Sequence, residues 1–303
     1  MNALSSPVFI LGLHRSGTTL LYQMLAASGC FHVVTARHVI QFDGTARAAS
    51  NPRGEDEKLT SRFARLGLTT RLVDDVNLTP NLPEEYGFVL EAAWGRPTLD
   101  RRTLPTLVTL CEGIAGESRD VKLMLLKNPW DFSRFRAIRK LLPGARFVFI
   151  HRRPLHVVAS MYRLLTDALS RRNEYLCLIN RRYSDLMNSE FPLRTARWFC
   201  DRRSSWVAAG LIAFAGFQSD RYLRDRSRLP PESAIDIRFE DLCRRPDDVI
   251  KAILRRFGIK DRGADSSRWI KSPRREIPTE VAALSHQIER RLGRYAAALG
   301  YDI

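Results

Sequence analysis

The stretch "VFILGLHRSGTTLLYQML", Val8 to Leu25, constrains this 303-residue chain more than any other. Apolar residues, then a loop opening on Gly12, then an apolar-periodic run from Thr18 read as strand, tight loop and helix. Gly12 to Thr19 matches the phosphate-cradling pattern G-x-x-x-x-G-K-[ST] except that Thr18 stands where the lysine belongs. Gly12 and Gly17 let the backbone wrap closely, so the N–H groups of Ser16, Gly17, Thr18 and Thr19 can face an anion at a helix N-terminus. Arg15 adds a charge, and the two threonines add hydroxyl donors. The lysine that reaches β- and γ-phosphates is missing, and no strand ends in an acidic residue that could hold Mg²⁺ opposite the loop. Such a loop suits a 5′-phosphate carrying something other than a β,γ-diphosphate.

Strand and helix signals alternate along the rest of the chain, which predicts an α/β fold with a central, mostly parallel sheet flanked by helices. Strands are expected at Val8–Leu11, Val121–Leu126, Arg146–Ile150 and Ala234–Phe239. Helices are expected at Thr18–Ala27, Lys58–Leu66, Glu84–Trp94, Leu104–Gly116 and Phe132–Leu142. A helical region runs from Pro154 to about Arg226, and further helices at Asp247–Phe257 and Thr279–Leu299. No segment has the composition of a domain linker, so residues 1–303 read as one domain. Its irregular and helical insertion, residues 36–120, is placed to cover a site. Ligands of an open parallel sheet bind beyond the carboxyl ends of its strands. Two further features fall at such ends.

In "RFVFIHRRPLHVVASMYR", Arg152 lies just past a strand, and Ser160 sits in the early turns of the helix that Pro154 starts. An arginine fork and a hydroxyl at a helix entrance make a second phosphate site. Lys127 ends the apolar run "VKLMLLK". Lysine supplies only seven of the 49 basic residues, which makes one at a strand end unlike surface decoration. The net charge of +16 points to an anionic ligand or surface. The arginines form no tail and do not alternate with aromatics, so nucleic acid is not expected. Five scattered cysteines without C-x-x-C spacing argue against disulfides and zinc, and for the cytoplasm. No apolar run approaches the ~18 residues of a membrane span, and no signal peptide is read.

Two phosphate sites in one sheet fit a nucleotide phosphorylated at its 5′ and 3′ ends. The segments carrying them resemble the paired signatures of the sulfotransferases that use 3′-phosphoadenosine 5′-phosphosulfate. The resemblance implies that Arg15, Ser16, Gly17, Thr18, Thr19 and Leu20 hold the 5′-phosphosulfate, and that Arg152 and Ser160 hold the 3′-phosphate. It also implies that Lys127 neutralises the bridging oxygen as the sulfuryl group leaves. "LPGARFVFIHRRP" and "IRFEDLCRRPDDVIKAILRRFGI" look like the Golgi-like and bacterial branch. The tail "RWIKSP…ALGYDI" is similar to that of the tyrosylprotein enzymes, which implies a cofactor-closing role for Lys271 with Ser266 or Ser267.

The resemblance leaves the base open. Cytosolic members use a histidine shortly after the strand-end lysine, a position held here by Pro129. Tyrosylprotein and carbohydrate members use a glutamate further past the loop, where this chain reads "FHVVTARHVIQFD", with Thr35 and Ala36 in its place. His38 is the first candidate, because its ordinary pKa suits proton abstraction near neutrality. Glu84 or Glu85 is the second, and Asp43 and His32 follow. The expected reaction is a metal-independent in-line transfer to a hydroxyl or amine of a small-molecule, lipid, carbohydrate or peptide acceptor. The alternatives are a lysine-less phosphate-loop kinase and a non-catalytic binder of anionic surfaces or nucleic acid.

Overall fold

The four side chains of Val8–Leu11 (β1) are wholly buried, as an interior strand of a parallel sheet requires. The computed structural model describes residues 4–45, 52–71, 76–118, 120, 122–202, 204–263, 266–270 and 276–301. Six further strands are Phe31–Val33 (β2), Thr70–Arg71 (β3), Val76–Asn77 (β4), Leu123–Lys127 (β5), Arg146–His151 (β6) and Ala234–Arg238 (β7). One sheet has the order β2-β5-β1-β6-β7 and is parallel at every pairing. The pair β3–β4 is a separate antiparallel ribbon.

The chain leaves β1 for β2 and β5 on one side, then returns to β6 and β7 on the other. The strand order therefore reverses at β1, and the crevice beyond its carboxyl end is where such a sheet takes a ligand. Alternation along β1 divides two cores. Phe9 and Leu11 join Phe147, Phe149 and Leu126 on one face, while Val8 and Ile10 join Leu125, Val148 and Ile150 on the other. Register fixes the rest: Ile10 pairs with Lys127, which brings the end of β5 level with the start of the loop.

The helices that position the site begin with Thr18–Ala27 (α1), Ala36–Gln41 (α2), Pro52–Arg65 (α3) and Tyr86–Trp94 (α4). Leu104–Gly116 (α5), Phe135–Leu141 (α6) and Pro154–Ser170 (α7) follow. Some boundaries differ from expectation. The helix expected from Lys58 starts at Pro52, a favoured first position. The one expected from Phe132 opens with a 3₁₀ stretch, Pro129–Arg134. The region after Pro154 divides into several helices, with Asn173 and Asn180 capping two of them. β2 was not expected; it is three residues long, too short to carry a period. Val121 lies outside the described residues.

Along β6 and β7 a hydrogen-bond network built on buried His151, Tyr222 and Tyr295, with Asp236 at its exposed edge, ties the sheet to later helices. Asp236 accepts from His151 Nε2 at 3.0 Å, from Arg226 at 2.6 and 2.9 Å, and from the Tyr222 hydroxyl. His151 Nδ1 pairs with the Tyr295 hydroxyl at 2.7 Å. Burial lowers the pKa of His151, so the ring is neutral at pH 7, carries its proton on Nε2 and accepts at Nδ1. Burial alone would raise Asp236, but the hydrogen bonds from His151 and Arg226 hold it down at about 2. A depressed carboxylate stabilises the fold above its unfolded pKa, and that contribution is lost as pH falls from 3.8 toward 2. Asp236→Ala should therefore cost about 2–4 kcal/mol at pH 7, because it strands buried partners. Urea unfolding should also show a shallower loss of stability in that acid window than wild type.

Candidate functional site

The loop between β1 and α1 is shaped by two close approaches. A Cβ on Gly12 would fall 2.5 Å from the Ile150 carbonyl oxygen, and one on Gly17 would fall 2.3 Å from the Phe239 ring. Gly17 has φ of 102° and Arg15 has φ of 70°, so the loop twice enters the left-handed region. The Ser16 N–H donates to the Leu13 carbonyl at 3.0 Å and closes the turn. No side chain caps α1, and its first turn holds no acidic residue. The Ser16 hydroxyl is buried and has no hydrogen-bond partner among the described residues. These are the features a helix N-terminus needs if an anion is to meet its N–H groups.

The second segment is bonded directly to the first. Arg15 Nε donates to the Ser160 hydroxyl at 3.0 Å, and Arg152 donates to the Arg15 carbonyl at 3.3 Å. The Arg152 guanidinium lies 4.4 Å over the Phe239 ring. Burial lowers its pKa, and among the described residues no carboxylate comes within ion-pairing distance of it. Two guanidinium groups thus converge beside the uncapped helix, an arrangement that favours anions.

Lys127 is fully buried at the end of β5. Its ammonium donates to Glu85 Oε1 at 2.8 Å and to the Thr19 hydroxyl at 3.4 Å. Arg71 reaches the same hydroxyl at 3.4 Å while bridging Glu84, which also accepts from the Tyr175 hydroxyl at 2.7 Å. The two glutamates arrive by backbone pairing. Ala36 N–H donates to the Leu82 carbonyl at 2.8 Å, Glu84 N–H donates to the Val34 carbonyl at 2.9 Å, and Thr35 bridges Pro83. The segment ahead of α4 is thereby laid along the exit of β2. Burial alone would raise Glu85, but the charges around it, Lys127 first, bring it below the ordinary glutamate value.

His38 is placed elsewhere. Its Nδ1 accepts from the Thr35 N–H at 3.0 Å, closing a capping box at the start of α2. Its Nε2 faces Glu117 Oε2 at 3.2 Å, beside the Arg37–Glu117 bridge. His32 Nε2 lies 3.1 Å from the Asp120 carbonyl, and Asp43 accepts from Thr45. Ser266 has a buried hydroxyl with no partner among the described residues, and the short helix after it packs against α1. Lys271 lies outside the described residues. The structure thus brings Arg15, Thr19, Glu84, Glu85, Lys127, Arg152 and Ser160 together.

Three neighbours carried no signal in the sequence. Arg71 is one arginine among many, on a two-residue strand. Tyr175 reaches Glu84 from a later helix, Glu174–Ile179. His14 sits within the loop motif at an unspecified position. Its ring meets Trp130 edge-on at 4.3 Å, its buried Nε2 has no partner among the described residues, and burial lowers its pKa to about 4. Among the described residues no three His, Cys, Asp or Glu side chains gather as a metal site.

A family model described as the sulfotransferase family matches residues 7–200, which include both phosphate segments, Glu85 and Lys127. Among solved structures the chain is similar to sulfotransferase STF9 from Mycobacterium avium. The identity is 14%, over 99% of this chain and 78% of that one, with a TM-score of 0.70. It is also similar to sulfotransferase STF1 from Mycobacterium tuberculosis, at 17% identity over 97% of this chain and 78% of that one, with a TM-score of 0.61. At these identities the likeness concerns the fold. No curated protein matches in sequence.

The loop geometry yields a stability test. Gly29 also has positive φ, at 68°, but a Cβ there meets nothing within 4 Å. Gly29→Ala should cost about 1 kcal/mol from backbone strain alone. Gly17→Ala adds the clash with Phe239 and should cost about 2–4 kcal/mol. Urea unfolding of the two variants side by side separates the terms, and equal costs would mean that the ring moves aside freely.

Proposed function

This chain belongs to the sulfotransferase family, and from that premise we propose that it moves a sulfuryl group from 3′-phosphoadenosine 5′-phosphosulfate to a hydroxyl or amine of its acceptor. The observation that carries the reading is the convergence of Lys127, Arg15 and Arg152 on one uncapped helix start, with Glu85 beside the lysine. Residues Arg15 to Leu20 would receive the 5′-phosphosulfate, and Arg152 with Ser160 would select the 3′-phosphate. The hydroxyls of Ser16 and Ser266, without a partner among the described residues, fit an anionic ligand, and Lys271 would join them from the tail.

In the transfer, the acceptor oxygen forms a bond to sulfur as the bond from sulfur to the bridging phosphate oxygen breaks. The acceptor's proton goes to a base, and the electron pair of the broken bond stays on the leaving nucleotide. Lys127 is the group at hand to hold that developing negative charge, the kind of stabilisation that dominates such reactions. Glu85 is the base the geometry favours over His38. It is ionised at neutral pH and touches Lys127, whereas both ring nitrogens of His38 face Thr35, Arg37 and Glu117. The loop, Lys127 and the arginines supply the positive charge, so the reaction is read as metal-independent, and EDTA should leave turnover unchanged. The cytoplasm is the compartment that suits five thiols. No helix among the described residues is long and apolar enough to cross a membrane.

For the nucleotide, 3′,5′-bisphosphoadenosine should raise the melting temperature well above the effect of AMP, and ATP with Mg²⁺ should do little. Arg152→Ala should weaken bisphosphate binding about tenfold or more and erase the preference over AMP. Equal stabilisation by AMP in wild type would remove the assigned role of Arg152 and Ser160.

For the chemistry, release of 3′,5′-bisphosphoadenosine is measured with a panel of phenol, alcohol and amine acceptors. Glu85→Gln should lower turnover by about 10²-fold or more, while nucleotide binding persists. Lys127→Ala should lower it further. The acidic limb of the wild-type pH profile should fall below 4.5, the ordinary glutamate value, because the Glu85 pKa is depressed. A limb near the ordinary histidine value of about 6.5, together with an inactive His38→Asn and an active Glu85→Gln, would return the role to His38.

A further inference from the structure

Helix Glu190–Arg202 docks on the rest of the protein by its smaller face. Leu193, Ala196 and Cys200 are half-buried, and Arg197 Nε donates to the Leu169 carbonyl at 2.7 Å. The opposite face carries Phe191, 71% exposed, with Trp198 and Phe199 at 55% and 46%. Trp206, at the head of the adjoining helix Ser204–Arg226, is 68% exposed. Gly210, Ala213 and Phe217 follow it at helical spacing and are exposed too. Aromatic rings offer more apolar area than other side chains, so four of them in water on two packed helices mark a contact surface.

Charge identifies what the surface contacts. Residues 171–206 hold eight arginines against four acidic residues, within a chain of net charge +16. Arg194, on the helix itself, is exposed, and Arg181 and Arg182 expose 77% and 65% of their side chains while pairing with Asp185 at 4.0 Å and Glu91 at 3.1 Å. A second copy of the chain would bring the same positive excess against itself. Anionic lipid headgroups neutralise it, and tryptophan, phenylalanine and arginine together are the side chains that settle at the boundary between headgroups and acyl chains. We propose that this face, centred on Phe191, Trp198, Phe199 and Trp206, docks on an anionic lipid bilayer. The rings enter the headgroup boundary and the flanking arginines meet lipid phosphates. The helix that begins at the docked face continues to Phe214, whose ring centroid lies 6.3 Å from that of His14 in the phosphate loop. Docking therefore sets the candidate site close to the lipid surface.

The test is co-sedimentation of the full chain with phosphatidylcholine vesicles, with and without about 30% phosphatidylglycerol. Wild type should bind the anionic vesicles and release them at about 0.5 M salt, where surface charge is screened. Because the four rings are exposed, Trp198→Ala/Trp206→Ala should keep the wild-type melting temperature while partitioning about tenfold or more weaker. Phe191→Ala, singly, should weaken binding less and serves if the double variant melts early. Three results overturn the proposal: no binding to anionic vesicles, binding undiminished by loss of the rings, or a dimer in sedimentation equilibrium that the tryptophan substitutions dissolve.

Discussion

A lysine ammonium shut away from water must have a carboxylate, and the arrangement of the candidate site follows from that demand. Lys127 ends a strand on which every residue from Met124 on is buried. Leaving such a charge unpaired costs several kcal/mol, and losing one partner of a buried pair typically costs about 3–5 kcal/mol. Glu85 meets the demand from a segment outside the sheet, held by its pairing with Val34–Ala36. Once it is there, Glu84 is buried too, and Arg71 and Tyr175 gather to satisfy it. The insertion between β2 and α4 is thus anchored electrostatically to the carboxyl end of the sheet. Both cations, Lys127 and Arg71, then reach the hydroxyl of Thr19 in the phosphate loop.

This coupling means that positive charge is assembled before any ligand arrives. Arg15, Arg71, Lys127 and Arg152 are held by β-strand register, by a ring face and by hydrogen bonds to neutral oxygens as well as carboxylates. Fixed donors in a water-poor site need no reorganisation when charge develops, which is the main source of electrostatic stabilisation in transfer reactions. Strained loop residues belong to the same design. Arg15 carries positive φ although it has a Cβ, and its side chain is thereby turned to the second segment, where it meets Ser160.

The sheet, the loop before α1 and the positions of Lys127 and Arg152 at strand ends were legible because their signals are local. An apolar run before glycines, a proline at a helix start and a lysine closing a strand each declare themselves within a few residues. The parallel architecture followed from alternation, and the sheet proved parallel throughout. The candidate base was legible only in part, with Glu84 or Glu85 standing second to His38. Reading along the chain placed attention on His38, the titratable group nearest the position held by Thr35 and Ala36. In space that position is bordered by Leu82–Glu84, so Glu85 comes to Lys127 from a distant stretch of chain. A β-bridge between Thr35 and Pro83 leaves no periodic trace. His38 meanwhile serves α2, since a histidine at that helical position can accept from the cap's own N–H.

The second segment also depends on elements that no motif announces. Glu240 accepts from the Arg153 N–H at 3.2 Å and from the Tyr301 hydroxyl at 2.7 Å, while Arg238 lies 4.3 Å over the Tyr301 ring. Phe239, between them, is the ring that supports Arg152 and crowds Gly17. Tyr295 and Tyr222, from two late helices, bond His151 at the end of β6 and Asp236 in the middle of β7. The orientation of Arg152 therefore rests on residues that follow the family-matched stretch, 7–200. A change at Phe239 would therefore be felt at Arg152 and at Gly17 together. The loop before the first helix and Arg152 are thus joined through Phe239, a residue of a later helix that touches both.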